Sequence, residues 1–187
     1  MEYNVIYDDL EGTPEVVSLA VAKNNSNIAD SFIDDDALLQ LILDAAIQEA
    51  ENYIETPIQH RNMVIELSEW PGIFEMPLYP ITGITGIVYK DVDGQDQTVS
   101  ASDYFLYSMD GRNKIKFTWD SSPSLSGSEV FPIKINCRAG YATDDMPGPI
   151  KSAVLLRFSH RERFREDVPT SYNRSFYAAL RPYRLWK

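Results

Sequence analysis

The pattern of apolar and polar residues changes its period twice along the chain, and the first zone has the period of a helix. In the stretch DDDALLQLILDAAIQEAENYIE, polar residues recur every three or four positions and form one narrow stripe. The stripe consists of Gln40, Asp44, Gln48, Glu51 and Glu55. A helix that is apolar around the rest of its circumference is buried on most of it. That burial comes either from the chain's own bundle or from a neighbouring copy.

Local signals set the start of this helix and predict a shorter one before it. Asp34 to Asp36 suit a helix N-terminus, because carboxylates there accept from free backbone amides and oppose the helix dipole. In the preceding stretch TPEVVSLAVAK, Thr13 is the predicted N-cap and Pro14 the first helical residue. Two N-terminal helices are therefore expected.

The middle zone has a period of two, which is typical of strands. Asp93-Gly94 and Asp110-Gly111 are the residue pairs that tight hairpin turns prefer, and each lies between strand-like runs. Apolar and polar residues alternate in KIKFTW and in FPIKINCR, so each strand has one buried and one solvated face. We expect one antiparallel sheet of four to six strands between Met63 and Ala139.

The last zone returns to a helical period. DDMPGPIKSAVLLRFSHRERFRED begins with acids and two prolines, carries an apolar face, and ends before Pro169. Arg157, Arg161 and Arg165 follow one another at intervals of four residues. Neither Arg157 nor Arg161 has an acid three or four positions away, so their partners are expected to lie off this helix.

These zones predict an α+β fold in which a small helical bundle carries an inserted antiparallel β-sheet subdomain. The bundle consists of the N-terminal helices and a C-terminal helix. The predicted segments are residues 1–60 for the N-terminal helical part, 61–140 for the β insertion, 141–170 for the C-terminal helix and 171–187 for a docking tail.

The charge is distributed very unevenly over the 187 residues, whose net charge is -11. Residues 1–60 hold thirteen acids and one base, whereas residues 151–187 hold three acids and nine bases. A basic end on an acidic body is disfavoured as a DNA-binding stripe, because the rest of the chain repels phosphate. Opposite ends that meet within or between subunits explain the pattern more simply.

Cysteine, histidine and targeting signals narrow the function further. Cys137 is the single cysteine, and with His60 and His160 it offers no zinc-ligand spacing. The acidic opening MEYNVIYDDLEG does not resemble a signal peptide, and no apolar run is long enough to span a membrane. We expect a soluble protein that is made in a cytoplasm and has no bound metal.

No residue set indicates catalysis. DVDGQD departs from a calcium loop in its glycine position and lacks the closing glutamate, so it is interpreted as a turn. His160 is surrounded by arginines and is interpreted as a surface or interface residue. The chain has neither a nucleophile elbow nor a phosphate-binding glycine loop, and it is predicted not to be an enzyme.

The chain ends in NRSFYAALRPYRLWK, which combines aromatic residues with arginine and contains no acid. Tyr, Trp and Arg are enriched at interface cores, because they give large contact areas with polar ends. We therefore expect a docking tail. The alternative is that Phe176, Leu180 and Tyr183 pack on the chain's own helices.

The order of four motifs resembles a known family. These are the hairpin PLYPITGITGIVYKDVDGQDQTV, then INCRAGY, the helix MPGPIKSAVLLRFSHRERFRE and the closing ALRPYR. From about Thr13 to Arg184, the chain is similar to the head-to-tail connector proteins of long-tailed bacteriophages, also called head-completion or adaptor proteins.

The resemblance implies a structural virion protein without cofactors, synthesised in the cytoplasm of a bacterial host and located at the head-tail junction. Identical subunits are expected to form a dodecameric ring beneath the portal protein after DNA packaging. The ring offers a platform to the neck or tail-completion protein, and DNA passes through its channel without specific binding. No membrane is involved.

Two sets of residues are predicted to act in assembly. The interface with the portal or a neighbouring subunit is assigned to Phe176, Leu180, Arg181, Tyr183, Arg184 and Trp186, together with Arg157 and Arg161. The acids expected to face the channel or a partner are Asp34, Asp35, Asp36, Asp44 and Glu51. An acidic channel would let the duplex slide without sticking.

Two other functions stay open from the residues alone. A surface- or glycan-binding β module would need an exposed aromatic platform, for which Tyr104 and Tyr107 are the candidates. A carboxylate-dependent hydrolase would need a pair of the twenty-eight acids in an active site.

Overall fold

A computed structural model describes residues 1–7, 15–166 and 173–185 of the chain. The chain divides into two units, which we call the β unit and the helical unit. The β unit comprises residues 1–13 and 60–141, and the helical unit comprises residues 14–59 and 142–187. The four segments predicted from the sequence divide the chain differently, since residues 1–13 belong to the β unit, and that division stays a prediction.

The described residues of the β unit form strands, which we number in chain order. They are β1 Tyr3–Tyr7, β2 Arg61–Leu67, β3 Ile73–Glu75, β4 Ile81–Lys90, β5 Asp96–Thr98, β6 Tyr104–Met109, β7 Arg112–Phe117 and β8 Ile133–Ala139. They form a five-stranded sheet in the order β1-β2-β8-β4-β5 and a three-stranded sheet in the order β3-β7-β6. All pairs are antiparallel.

Both predicted hairpins are present, with different turns. Between β6 and β7, Asp110 and Gly111 both have positive φ, at 55° and 71°, as a two-residue hairpin turn requires. Between β4 and β5 the loop is longer, and the Asp91 carboxylate accepts hydrogen bonds from the backbone amides of Asp93 and Gln95. Gly94 lies in this loop with a φ of 74°.

The expectation of one sheet between Met63 and Ala139 is wrong in two respects. The strands of this region belong to two sheets, and β1 joins the larger one from far upstream. Tyr3 lies opposite Leu67 in the ladder between β1 and β2. The sequence pattern gives each strand a buried face but no partner, so the division into sheets cannot be read from it.

The core of the β unit lies where the two sheets contribute side chains to one cluster. Ile115 and Phe117 of β7 are buried together with Ile133, Ile135 and Cys137 of β8. Lys134 and Arg138 are exposed, which confirms the predicted alternation along β8. Burial raises the pKa of the Cys137 thiol to about 12, so this cysteine behaves as an apolar core residue.

The helical unit contains the helices of the described residues, numbered α1 to α4. They are α1 Leu19–Asn25, α2 Asp36–Ile54, α3 Gly148–Arg163 and α4 Arg174–Leu180, and a 3₁₀ turn over Arg181–Tyr183 follows α4. None of them is both long and apolar enough to cross a lipid bilayer. Together with the two sheets they confirm the predicted α+β class.

The first helix begins later than the sequence predicts. Ser18 is the N-cap of α1, and its hydroxyl accepts a hydrogen bond from the backbone amide of Val21. The predicted start at Thr13 and Pro14 lies outside the described residues. The long helix α2 agrees with its prediction, with Asp35 as N-cap and Glu55 as C-cap in the left-handed conformation at a φ of 62°.

The core of the helical unit is formed by one side of α2 and the facing sides of α3 and α4. On α2 the buried residues are Leu39, Leu43, Ala46, Ile47, Ala50 and Ile54. They recur at intervals of three and four residues and so form one face of the helix. From α3 come Ile150, Ala153, Val154 and Phe158, and from α4 come Phe176 and Leu180.

Candidate assembly surface

The two arginines that lack acids on their own helix share one carboxylate of α2. Arg157 donates from Nε, and Arg161 from Nη2, to the same oxygen of Glu49, each at 2.7 Å. Burial by itself raises the pKa of the Glu49 carboxyl, but the hydrogen bonds and charges of both arginines outweigh it and lower the pKa overall. The partner therefore lies off α3, as predicted, and it is an acid of the N-terminal zone of the same chain.

Helix α4 packs its apolar side on the chain's own helical unit. Phe176 and Leu180 have no exposed surface, and the Arg157 guanidinium lies over the Phe176 ring at 5.8 Å. The Asn173 side chain caps α4 by accepting from the backbone amide of Phe176. For Phe176 and Leu180, the structure therefore corresponds to the alternative of packing within the subunit.

The segment after α4 lies against the C-terminal end of α2. Arg184 donates a hydrogen bond to Glu55 at 2.9 Å, and its guanidinium lies over the Tyr53 ring at 5.3 Å. The hydrogen bond to Glu55 raises the pKa of Arg184. The backbone amide of Leu185 donates to the carbonyl of Ile54 at 3.1 Å. Three contacts therefore hold Arg184 and Leu185 at the C-terminal end of α2.

Among the described residues of the predicted tail interface, Arg181 and Tyr183 keep solvent-accessible surface. Arg181 and Pro182 are exposed, and Tyr183 is half-buried. Pro182 lies in the 3₁₀ turn, which agrees with the prediction that it stops the helix. Trp186 lies outside the described residues.

Of the five acids predicted to face a channel, three bind partners within the chain and two are exposed. Asp35 pairs with Arg165 at 2.9 Å, and Asp36 pairs with Lys23 at 2.8 Å. Glu51 accepts hydrogen bonds from the backbone amides of Ile58 and Gln59. These three therefore have structural partners within the chain.

Asp34 and Asp44 are the exposed members of the set. The Asp44 carboxylate accepts a hydrogen bond from the Gln40 side chain at 2.8 Å, one turn earlier on the same stripe. Asp34 precedes the first turn of α2. Both carboxylates are thus available to the surroundings of the chain.

Sequence reasoning missed Lys23, whose ammonium is buried between α1 and the start of α2. Its Nζ donates to the carbonyls of Asp30 and Phe32 and to the Asp36 carboxylate, at 3.3, 2.6 and 2.8 Å. All three donors are satisfied, as a buried ammonium requires. The sequence contained one indication of this role, because Lys23 is the single base among residues 1–60, which contain thirteen acids.

Sequence reasoning also did not separate the exposed apolar residues of α2 from its buried ones. Leu38 and Leu41 are exposed, whereas Leu39 and Leu43 are buried. Near Leu38, an open cleft of about 340 Å³ is lined by Leu38, Ile42, Arg161, Phe164, Arg165 and Glu166. Assigning each leucine to a face requires the packing of α3 and α4, which the sequence does not give.

The described residues contain no group of three His, Cys, Asp or Glu side chains that could hold a metal ion.

The two tyrosines that the sequence offered as an aromatic platform lie on β6, and neither of them is fully exposed. Tyr104 packs against the core cluster of the β unit and Tyr107 is half-buried, whereas Phe105 between them is exposed. No specific observation favours the glycan-binding or hydrolase alternatives.

Comparison with known protein families supports the resemblance found in the sequence. Residues 16–103 match the family model described as phage gp6-like head-tail connector protein. This match covers α1, α2 and the strands β2 to β5. The predicted resemblance to head-to-tail connector proteins is confirmed over these residues. No curated protein sequence matches the chain significantly.

Three solved chains have the same fold over almost their whole length. A chain from the neck of the empty gene transfer agent (GTA) particle, computed with C6 symmetry, gives a TM-score of 0.80 at 19% identity. A chain from the virion of the native GTA particle gives 0.80 at 18% identity, and one from the neck of the native particle, computed with C12 symmetry, gives 0.72 at 19%.

The coverage is nearly complete in both directions. The alignments cover 100%, 98% and 100% of this chain and 97%, 96% and 97% of the respective matched chains. At these identities the similarity establishes the fold. The architecture of the chain is therefore one that also occurs in chains of GTA particles.

Proposed function

We propose that the protein is a structural connector of a phage or phage-like particle. Copies of the chain form a ring beneath the portal protein and join the DNA-filled capsid to the neck or tail. The observation that carries this proposal is the match of residues 16–103 to the head-tail connector family. The fold supports it, since chains of the GTA neck share it over their full length.

A ring of twelve copies agrees with the symmetry of those necks, which are computed with C6 and C12 symmetry. Closed rings of identical subunits need two different surfaces on each subunit.

The polar stripe of α2 is the part of the chain that faces the DNA channel. Asp34 and Asp44 line the channel. Asp35, Asp36 and Glu51 add negative charge, and each of them is held in position by its partner within the chain. A lumen of the same sign as DNA lets the duplex pass without sticking. Cryo-electron microscopy of the assembled neck tests this, and Asp34 and Asp44 on the outer rim would contradict it.

The end of the chain is the portal-docking element of the proposal. Arg181, Tyr183 and Trp186 contact the partner, because aromatic and arginine side chains give the largest contributions at interface cores.

Three other residues of the predicted interface act indirectly. Phe176, Leu180 and Arg184 fix the start of the docking segment on the helical unit. Arg157 and Arg161 position α3 through Glu49.

The decisive experiment is reconstitution of tail attachment. Filled heads made without this protein are mixed with the purified protein and then with tails, and joined particles are counted by electron microscopy. Joining should depend on the protein. Capsids without a portal are the matched control and should not bind it.

Two results would refute the proposal. One is joining of heads and tails in the complete absence of the protein. The other is a protein that binds portal-free capsids as well as it binds portal-bearing heads. No step in this role requires a cofactor or a chemical reaction.

A further inference from the structure

We infer that the exposed apolar side of α2 packs against the exposed side of α3 in a second copy of the chain. The inference rests on the ring of the proposed function and adds the surfaces that close it. On α2, Leu38 is 41% exposed and Leu41 is 65% exposed. On α3, Leu156 is 43% exposed. Large apolar side chains with this exposure on regular helices mark contact surfaces when they lie together.

The exposed leucines of α2 and the half-buried Ala45 have the spacing of a helix-packing seam. Leu38, Leu41 and Ala45 follow one another at intervals of three and four residues. At about 100° per residue, the three apolar positions lie within an arc of about 60°, opposite the buried face of α2. This alternation is the heptad spacing by which one helix packs its side chains between those of another.

The side of α3 that bears Leu156 also points away from the core of the helical unit. Ser152 and Arg163 are exposed on this side, whereas Ile150, Val154 and Phe158 are buried on the opposite one. Leu156 therefore provides one apolar contact in a mainly polar strip. A small apolar centre with a polar rim is the usual composition of a subunit contact.

Charge indicates which helix packs on each surface, namely α3 of a second copy on α2 and α2 of a second copy on α3. α2 contains four acids and no base, but Glu49 is paired with Arg157 and Arg161 of its own chain. The exposed charges next to the two surfaces are Asp44 on α2 and Arg163 on α3. Two α2 helices would repel each other, whereas α2 and α3 of neighbouring copies attract. A contact between two different surfaces is also the type that closes into a ring.

Cysteine cross-linking tests this contact directly. The test variant combines Leu41→Cys with Leu156→Cys, and each single substitution is made alongside it. Leu38→Cys with Leu156→Cys covers the neighbouring turn. Cys137 does not compete, because it is buried and its pKa is raised to about 12. The matched control is Gln40→Cys with Leu156→Cys, which places the first cysteine on the polar stripe of α2.

Each sample is oxidised both as the purified protein and after binding to portal-bearing heads. We expect either seam pair to give a ladder of dimers and larger oligomers on a non-reducing gel, whereas the single variants and the control pair stay monomeric. A disulfide forms when the two Cα atoms approach within about 7 Å, so a ladder requires direct contact of the helices. Dimers from Leu41→Cys alone would mean that α2 meets α2 and would overturn the inference.

Head binding is measured separately by co-sedimentation, which distinguishes the two proposals. If the protein binds heads and neither seam pair cross-links in either sample, the inference fails while the connector role stands. If the protein does not bind heads, the connector role fails, and the oxidised purified protein alone decides the inference. In addition, Leu41→Glu should reduce oligomer formation at least tenfold and leave the melting temperature unchanged, whereas Gln40→Glu should change neither.

Discussion

The Arg184 guanidinium donates a hydrogen bond of 2.9 Å to the carboxylate of Glu55, the residue that ends α2. The two residues are 129 positions apart in the sequence. Together with the Leu185 amide bound to Ile54, this contact fixes the C-terminal segment on the helical unit. Arg184 and Leu185 therefore have a defined position in the subunit.

A double-mutant cycle measures how strongly this contact holds. We expect Glu55→Gln and Arg184→Met to show a small favourable coupling free energy, since both side chains are one-third exposed and solvent screens the pair. Urea unfolding of the two single variants and the double variant gives the value. Additive effects of the two substitutions would mean that the backbone contact at Ile54 alone holds the segment.

Glu49→Gln should destabilise the helical unit by about 1 to 2 kcal/mol at neutral pH, because two arginines lose their common charged acceptor. The exposed acid Asp44 provides the matched control, and Asp44→Asn should change stability by less than about 0.5 kcal/mol. Thermal unfolding of both variants checks the difference. Equal losses would show that the shared carboxylate has no special role.

The effect of Glu49→Gln should depend on pH. The pKa of Glu49 is lower in the folded chain than its ordinary value of 4.5, so the unfolded chain binds more protons in this range. The stabilisation by Glu49 is therefore complete above pH 4.5 and is lost as the pH falls through the folded-state pKa. The difference between wild type and variant should shrink in acid, and a constant difference from pH 7 to pH 3 would contradict this.

Phe176→Ala should cost about 3 to 5 kcal/mol of stability, because the ring is fully buried between α4 and the other helices. Deletion of residues 176–187 should therefore lower the melting temperature strongly. Ala178→Gly, at an exposed position of the same helix, should cost only about 1 kcal/mol. An unchanged transition in Phe176→Ala would show that α4 is not part of the subunit's core.

Trp186→Ala should act on attachment rather than on folding. In the interface role proposed for it, the tryptophan should contribute about 2 kcal/mol or more to binding of portal-bearing heads, so its removal should raise the dissociation constant about thirtyfold. The melting temperature should not change. Head binding is measured by co-sedimentation, with Lys187→Ala as the control. Unaltered binding of Trp186→Ala would remove this residue from the interface.

Lys23→Met should destabilise the chain by about 2 kcal/mol, because it keeps the apolar stem and removes three hydrogen bonds of the ammonium. Hydrogen exchange of the amides between Ser26 and Asp36 should also become faster. Lys151→Met is the control, since its ammonium makes one exposed hydrogen bond. Equal exchange in this segment would mean that Lys23 does not organise the start of α2.

The features that the sequence determined by itself depend on residues close together in the chain. Helix α2, the alternation along β8 and the turn at Asp110-Gly111 are confirmed, because a helical face, a pleated strand and a two-residue turn are each fixed within a few residues. The family resemblance rests on such local motifs in a fixed order, and the family model matches over residues 16–103.

Only the tertiary structure decided which distant groups meet. Glu49 lies 108 and 112 positions from its two arginines. The first sixty residues contain thirteen acids, and nothing in the sequence pattern distinguishes Glu49 from the others as the partner. The pairing of β1 with β2 and the division of the strands into two sheets have the same origin. These partners are selected by the packing of whole elements, which burial patterns along the chain do not encode.

The same reason separates the leucines of α2. The sequence shows that nearly the whole circumference is apolar, so it predicts burial on most sides without naming the neighbour on each. In the folded chain, α3 and α4 cover Leu39 and Leu43 but leave Leu38 and Leu41 exposed. The apolar composition of α2 was thus determined locally, while the arrangement of the other helices decided which of its leucines belong to the core.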